Sequence, residues 1–360
     1  MSLPNEQTVY RITNFKSYKD IKGFQEPLHV ELSPDEVLLK IKAVSLNYRD
    51  LIMTNDGYLV KPKKNVIPGS DASGEIVKVG SSVTNFEIGD RAITNFDPEH
   101  LYGNAQSDAI RIGCIQDGVL TQYKVISKYS INKIPKDSHL THEEAASLVC
   151  TGVTAWNALF GSGDRFVAGQ TILMLGTGGV SITTLVLAKA AGAVTIITSS
   201  SDDKLQYVKE KYGADYTINY RTNPDWEKEV LEITGGKGVD FVIENGGNGT
   251  IIKSIESLKF GGQVVLIGFV AEVKELPNML FALLKKTATA RGIRVGSKQL
   301  AEELIRFVHA KKLRMPVERV YGFTEENIHA AYASIESQTQ VALIKLSGPN
   351  RFTLKRLFMT

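Results

Sequence analysis

Hydrophobic and polar positions follow two rhythms along the chain. From about residue 30 to residue 130, apolar residues fall in short runs broken by Gly, Pro and charge. Val37–Val44 alternates in part with lysines, and Gly74–Val79 is rich in β-formers. Gly89-Asp90 turns into Arg91–Phe96, and Val119–Ile126 repeats the pattern. Short alternating runs bounded by turn residues predict strands. Their irregular spacing predicts a β-rich unit rather than a parallel sheet.

After about residue 140 the rhythm changes. Thr141–Leu159 has helical periodicity, and Thr141 with Glu144 forms a capping-box signature at its start. Strand and helix patterns then alternate. Thr171–Leu175 is a strand, Gly179–Ala191 a helix stopped at Gly192, Val194–Thr198 a strand, and Lys204–Tyr212 a helix stopped at Gly213. Tyr216–Asn219, Asp240–Ile243 and Gln263–Ile267 read as further strands, with helices at Trp226–Thr234 and Ile251–Leu258. This repetition predicts an α/β fold with a doubly wound parallel sheet. A helix at Leu300–Ala310 and a strand at Val341–Leu346 follow, and the chain after about residue 293 is expected to return to the first unit. There is no internal repeat.

Composition narrows the setting. The chain has 360 residues, 43% hydrophobic and 22% charged, with a formal net charge of +3 and no dominant basic block. That length predicts two domains, and the small charge argues against nucleic acid as a partner. Two cysteines, Cys114 and Cys150, cannot make a disulfide framework or a four-cysteine zinc lobe, and they suit a reducing compartment. Met1–Tyr10 lacks a signal-peptide core, and no apolar run approaches the roughly 20 residues of a membrane span. No membrane association is expected, and the expected location is cytoplasmic. The histidines show no metal spacing; His139 and His142 read as surface or helix-start residues.

The segment Leu175-Gly176-Thr177-Gly178-Gly179-Val180-Ser181 leaves a buried-type strand and opens a helix. A dinucleotide pyrophosphate needs that arrangement: glycines permit a tight turn and close backbone approach, and a helix N-terminus offers free N–H groups. Gly176, Thr177, Gly178, Gly179 and Val180 are therefore candidate cofactor contacts, with small Ser181 at the third-glycine position. The other reading is a Gly-rich turn serving a different ligand. An NAD enzyme usually ends its next strand with Asp or Glu to hold the ribose hydroxyls. Here Val194–Thr198 runs into Ser199-Ser200-Ser201, and Asp202 and Asp203 lie where the next helix begins. The serine hydroxyls with Lys204, joined by Tyr220 and Arg221, could receive a 2′-phosphate. NADPH is the expected cofactor; the alternative is an ordinary N-cap loop beside a solvated lysine.

Over nearly its whole length the chain resembles the medium-chain dehydrogenase/reductases. The matching segments are Ser45–Leu51 (SLNYRDL), Pro68–Ile76 (PGSDASGEI), Val83–Arg91 ending in Gly-Asp-Arg, Gly118–Tyr123 (GVLTQY) and Cys150–Trp156 (CTGVTAW), followed by the Gly176 turn and Lys189–Ala193 (KAAGA). The resemblance implies a GroES-like β-rich substrate domain, residues 1–151 and 294–360, and a Rossmann domain, residues 152–293. It also implies a shared cleft and a homodimer. Zinc alcohol dehydrogenases of this kind hold a catalytic metal with Cys, a His-Glu pair and a second Cys or Asp. Here those positions carry Asn47, Ser70-Asp71 and Cys150, of which only Cys150 keeps a ligand type, so no metal is expected. Asn47 fits the zinc-free branch, which resembles quinone oxidoreductases and enone or enal reductases, whereas Cys150–Trp156 looks more like the zinc branch.

Without a metal, the favoured acceptors are those that delocalise incoming charge themselves. The expected activity is NADPH-dependent hydride transfer to a quinone or an α,β-unsaturated carbonyl, acting on a small electrophilic substrate. A zinc-dependent alcohol dehydrogenase and a non-enzymatic NADPH-binding protein remain as alternatives. The resemblance places Asn47–Asp50 at the nicotinamide end. There Tyr48 could contact the substrate oxygen or wall the pocket, Asn47 could orient a carbonyl or hold a loop, and Arg49 could touch the ligands or pair with Asp50 or Asp71. Asp71 reads as structural. Thr154 is implied to approach the nicotinamide, Asn245 to lie along the adenosine, Gly268 and Phe269 near the nicotinamide ribose, and Val295 near the carboxamide. The loops Asn55–Asn65 and Asp97–Ile112 have no readable motif, and Arg351–Arg356 reads as a solvated end.

Overall fold

A computed structural model describes residues 3–58, 60–105, 112–268, 277–337 and 342–346. The alternating half of the chain forms a six-stranded sheet, ordered Tyr216–Asn219, Val194–Ser199, Thr171–Met174, Val239–Glu244, Leu258–Leu266, Thr289–Gly292. Every pairing in it is parallel. In chain order the strands run 3-2-1-4-5-6, so the winding reverses between Thr171–Met174 and Val239–Glu244.

Alternate strand residues feed two cores, because successive side chains leave a strand on opposite faces. Ile172, Met174, Phe241 and Ile243 join one, packed by Ile182, Leu185, Leu205 and Val208 of the helices Gly179–Ala190 and Asp202–Tyr212. Leu173, Leu175, Val242 and Val264 join the other, covered by Trp226, Val230, Ile251 and Ile255 of Trp226–Ile233 and Ile251–Glu256. Burial on both faces is why these strands read as continuous apolar runs.

The β-rich part of the chain forms a seven-stranded sheet. Its path runs Arg319–Gly322, Ala342–Lys345, Glu36–Ser45, Asp71–Val79, Arg91–Thr94, Ile131–Lys133, with Tyr123–Ser127 also paired to Glu36–Ser45. All its pairs are antiparallel except the first. Met53, Ile93, Phe96 and Cys114 share a core with Ile172 and Leu304, so the two sheets are joined by packed side chains. The helices Val153–Phe160 and Lys298–Ala310 carry much of that junction.

Two expectations change. The strand expected over Val119–Ile126 begins only at Tyr123. The amides of Gly118 and Leu120 instead donate to the carbonyls of Ile67 and Pro68, at 2.6 and 3.1 Å, which fastens this stretch to the Pro68-Gly69 turn. The helix expected over Thr141–Leu159 is split into His142–Ser147, a π turn at Leu148–Gly152, and Val153–Phe160. The Thr141–Glu144 capping box is present. The interruption has a tertiary cause: Cys150 N donates to the Asp71 carboxylate at 2.8 Å, so a side chain takes an amide from the helical ladder. The described part of the Asp97–Ile112 loop docks on a helix start, where Lys298 N and Gln299 N donate to the His100 and Leu101 carbonyls. The Arg351–Arg356 tail lies outside the described residues. Among the described residues no helix is long and apolar enough to cross a membrane.

Candidate active site

The glycine-rich turn leaves the strand Thr171–Met174 at the point where the winding reverses, the crevice that binds ligands in such sheets. Gly176 has φ +74°, a left-handed conformation that favours glycine. Gly178 is the N-cap of Gly179–Ala190, no side chain caps that helix, and nothing lies within 4 Å of a Cβ built at Gly176 or Gly178. The turn is thus an open cradle at a helix N-terminus. It is held from behind. Thr198 Oγ1 accepts from Gly176 N at 3.1 Å, and Ser181 Oγ donates to the Leu175 carbonyl at 2.8 Å while accepting from Asn245 Nδ2 at 2.9 Å. Thr177 is buried beside them, and Val180 is half-buried.

The loop after Val239–Glu244 is shaped by the residue that ends the strand. The Glu244 carboxylate is fully buried and accepts from Gly246 N (2.7 Å), Gly247 N (2.9 Å), Thr250 Oγ1 (2.7 Å) and Ser254 Oγ. That fixes the loop from which Asn245 reaches Ser181 and spans the reversal point. Gly268 N donates to the Glu244 carbonyl at 3.2 Å, bringing a third strand end to the same edge. Phe269 lies outside the described residues.

Beside the turn, Ser199 is buried and its carbonyl accepts from Tyr220 N at 3.0 Å, while the Tyr220 ring is exposed. Ser200 is half-buried, and Ser201 caps the helix Asp202–Tyr212, where its Oγ accepts from Lys204 N. Asp202 opens that helix and accepts from Asn219 Nδ2 at 2.8 Å. The helix start is therefore where Asp202 and Asp203 lie, and the strand itself ends in a hydroxyl rather than a carboxylate.

A second cluster gathers at the start of the strand Asp71–Val79. Asp71 is fully buried; Ser70 Oγ donates to it at 2.5 Å and Cys150 N at 2.8 Å. Burial raises its carboxyl to about 7, against the lowering effect of the Ser70 and Asn47 side chains. Asn47 precedes the short helix Tyr48–Met53, and its N–H donates to the Asp50 carboxylate at 2.8 Å. Its Nδ2 is buried beside the Asp71 and Asp50 carboxylates, whose pKa it helps to lower, without a hydrogen bond of good geometry among the described residues. Arg49 is buried and paired with Asp50 at 3.3 Å; it also donates to the Ile112 carbonyl at 3.4 Å and stacks over the rings of Phe96 and Tyr58. The ion-pair reading of Arg49 matches this geometry. Tyr48 is 49% exposed, and its side chain does not join the buried cluster. Cys150 keeps part of its surface exposed, yet burial and then Asp71 push its thiol well above the ordinary range. A thiol so placed is a weak nucleophile.

Thr154 is buried one turn before Asn157 on the helix Val153–Phe160, and Asn157 Nδ2 donates to the Val295 carbonyl at 2.6 Å. Val295, with φ +52°, is a β-branched residue in the left-handed region. Asn157, the titration of Asp71 and the loop-holding role of Glu244 are not read from the sequence. Only Glu244 left a signal there: a carboxylate ending an apolar strand needs donors, and Asn245-Gly246-Gly247 supplies them.

Known proteins resemble this chain over most of its length. Residues 33–136 match the family model described as the alcohol dehydrogenase GroES-like domain, and residues 179–310 match that of the zinc-binding dehydrogenases. A zinc-type alcohol dehydrogenase-like protein of Schizosaccharomyces pombe is 40% identical over 341 residues, covering 91% of this chain and 97% of that one. An acryloyl-coenzyme A reductase of Sulfurisphaera tokodaii is 29% identical over 321 residues, covering 86% and 91%. The crystal structure of a provisionally assigned alcohol dehydrogenase from Sinorhizobium meliloti 1021 superposes with a TM-score of 0.85 at 32% identity, covering 96% of this chain and 100% of that one. With a GroES-like unit, a Rossmann sheet wound 3-2-1-4-5-6 and a relative of this identity over nearly its whole length, the chain belongs to the medium-chain dehydrogenase/reductase superfamily of oxidoreductases.

Proposed function

We propose that the protein is an NADPH-dependent reductase that transfers a hydride to an α,β-unsaturated carbonyl or quinone without a catalytic metal. The observation that carries the cofactor reading is the open, uncapped glycine turn at the reversal point of the parallel sheet. Main-chain N–H groups at Thr177–Val180 would hold the pyrophosphate. Ser199, Ser200 and Lys204 would receive the 2′-phosphate, with Tyr220 beside the adenosine and Asn245 and Gly268 along the ribose edge. Asp202 is occupied by Asn219, which leaves the strand end to hydroxyls. Thr154 and Val295 would border the nicotinamide. Residues 152–293 then form the nucleotide unit and the remainder the substrate unit, in a homodimer.

The donor set does not fit a catalytic zinc. Asn47 and Ser70 are poor ligands, and Asp71 already accepts from Ser70 and Cys150, so too few donors remain for a zinc shell. Among the described residues no group of three or more His, Cys, Asp or Glu could hold a metal. Bound NADPH supplies the hydride. The chain supplies the rest: the cradle orients, and Asn47, whose buried side chain lies beside the Asp71 and Asp50 carboxylates, would turn its amide N–H to the developing enolate oxygen. Acryloyl-coenzyme A, named in one relative, is an activated alkene of the class proposed.

The test is NADPH oxidation against a panel of enones, enals, quinones and simple alcohol–aldehyde pairs, with NADH as control and metal analysis of the same sample. The proposal predicts turnover of conjugated acceptors by metal-free protein, and an Asn47→Ala loss of about a hundred-fold in kcat with little change in NADPH affinity. Turnover restricted to alcohols, with about one zinc per chain, would favour a zinc alcohol dehydrogenase instead.

A further inference from the structure

Val295 sits in a backbone conformation that its own side chain disfavours. Its φ is +52°, and it is buried, so neither glycine-like freedom nor solvent explains the turn. β-Branched residues persist there only when their surroundings over-determine them, and such residues cluster at ligand sites.

The Val295 side chain joins the core around Val153 and Leu304, and its carbonyl is held by one side chain, Asn157, which lies 138 positions earlier in the chain. Its Nδ2 donates to the Val295 carbonyl at 2.6 Å. Its Oδ1 accepts from the Arg291 guanidinium, and the same guanidinium nitrogen donates to the Asn157 carbonyl at 2.9 Å. Arg291 can only donate, so it settles which end of the carboxamide is oxygen and turns the amide NH₂ toward Val295. Burial alone lowers the Arg291 guanidinium, with no carboxylate opposing it, so its task here is orientation rather than ion pairing. The carboxamide lies directly over Gly161, where a methyl would come within 1.9 Å of Asn157 Oδ1, so the absence of a side chain there leaves the amide its place. The clamp joins the end of the edge strand Thr289–Gly292, the helix that carries Thr154, and the turn Val295–Ser297 that caps Lys298–Ala310. With its carbonyl held, Val295 has an N–H for which there is no acceptor among the described residues.

We infer that Asn157 is a positioning residue. By clamping the Val295 carbonyl it fixes the strained turn so that the Val295 N–H is presented to the carboxamide oxygen of the nicotinamide. Asn157 touches neither cofactor nor substrate. The inference rests on the nicotinamide reading proposed above and adds a residue that the reading did not contain.

The experiment measures the Kd of NADPH and of 2′-phospho-ADP-ribose, which has the same pyrophosphate and 2′-phosphate but no nicotinamide. Three proteins are compared: the wild type, Asn157→Asp, and Asn157→Asp with Val295→Gly. Aspartate keeps the shape and the acceptor for Arg291 but sets a carboxylate oxygen against the Val295 carbonyl. NADPH binding should weaken about ten-fold, the size of one net hydrogen bond, while the fragment binds as to the wild type. Adding Val295→Gly should shrink that loss, because glycine adopts the turn without strain. Unchanged NADPH binding by Asn157→Asp would overturn the inference, as would equal loss of both ligands or a loss that Val295→Gly leaves unaltered. Should Asn157→Asp fail to fold, Asn157→Ala, which only deletes the donor, takes its place. A wild type that binds neither ligand would overturn the cofactor reading itself, an outcome distinct from all of these.

Discussion

Asp71 shows at residue scale how one buried carboxyl serves two structures. It accepts the Cys150 amide and so places the π turn, and it lies among Ser70, Asn47 and Asp50 at the cluster proposed to meet the substrate. Its pKa of about 7 is a statement about stability. The unfolded value is about 3.9, so the native protein holds a proton there that the unfolded chain releases. The stabilisation is complete below pH ~4 and is lost as pH rises through the folded pKa, a change of a few kcal/mol. Asp71→Asn cannot ionise and escapes that loss. The difference in Tm, variant minus wild type, should become more positive from pH 5 to pH 8. A difference independent of pH would show that Asp71 keeps an ordinary pKa. His142, pushed down to about 4 by burial and then by Arg91, gives the opposite slope below pH ~6.5. It is common to both proteins and cancels in the comparison.

At the scale of elements, the strand–turn–helix unit around Gly176 carries the cofactor reading. Gly178 has φ −75° and open space at its Cβ position, so a side chain there fits the protein but occupies the cradle. Gly178→Asp should therefore keep the wild-type Tm within a degree or two and lose NADPH binding, since a carboxylate would face the pyrophosphate. Normal binding by a folded Gly178→Asp protein would remove the turn from the site. Elements of this kind were legible in the sequence because they are local. Tyr216–Asn219 is read residue for residue, and Gly213, with φ +71°, stops its helix as glycine does. The hairpin Glu6–Ile12 with Ile21–Pro27 escaped reading, because the second strand is mostly exposed and shows no apolar face. The helix Glu325–Glu336 escaped despite a visible cap at Thr324. The π turn and the Asn157–Val295 clamp could not be read at all, since each depends on a partner brought in from far along the chain.

For the whole molecule, one packed core takes residues from both sheets, so cofactor cradle and substrate cluster are held in one frame. The Cys150–Asp71 bond ties the substrate cluster to the π turn that leads directly into the helix Val153–Phe160, and that helix packs on the one that opens at the cradle. A ligand bound across that frame should register as a single event per chain. The most direct test is titration calorimetry of the purified protein with NADPH, repeated with NADH. Saturable binding of one NADPH per chain, with NADH at least ten-fold weaker, is the predicted result; the ratio expresses loss of charge-assisted contacts to the 2′-phosphate. No heat and no thermal shift with either nucleotide, or NADH bound as tightly as NADPH, would contradict the proposed assignment.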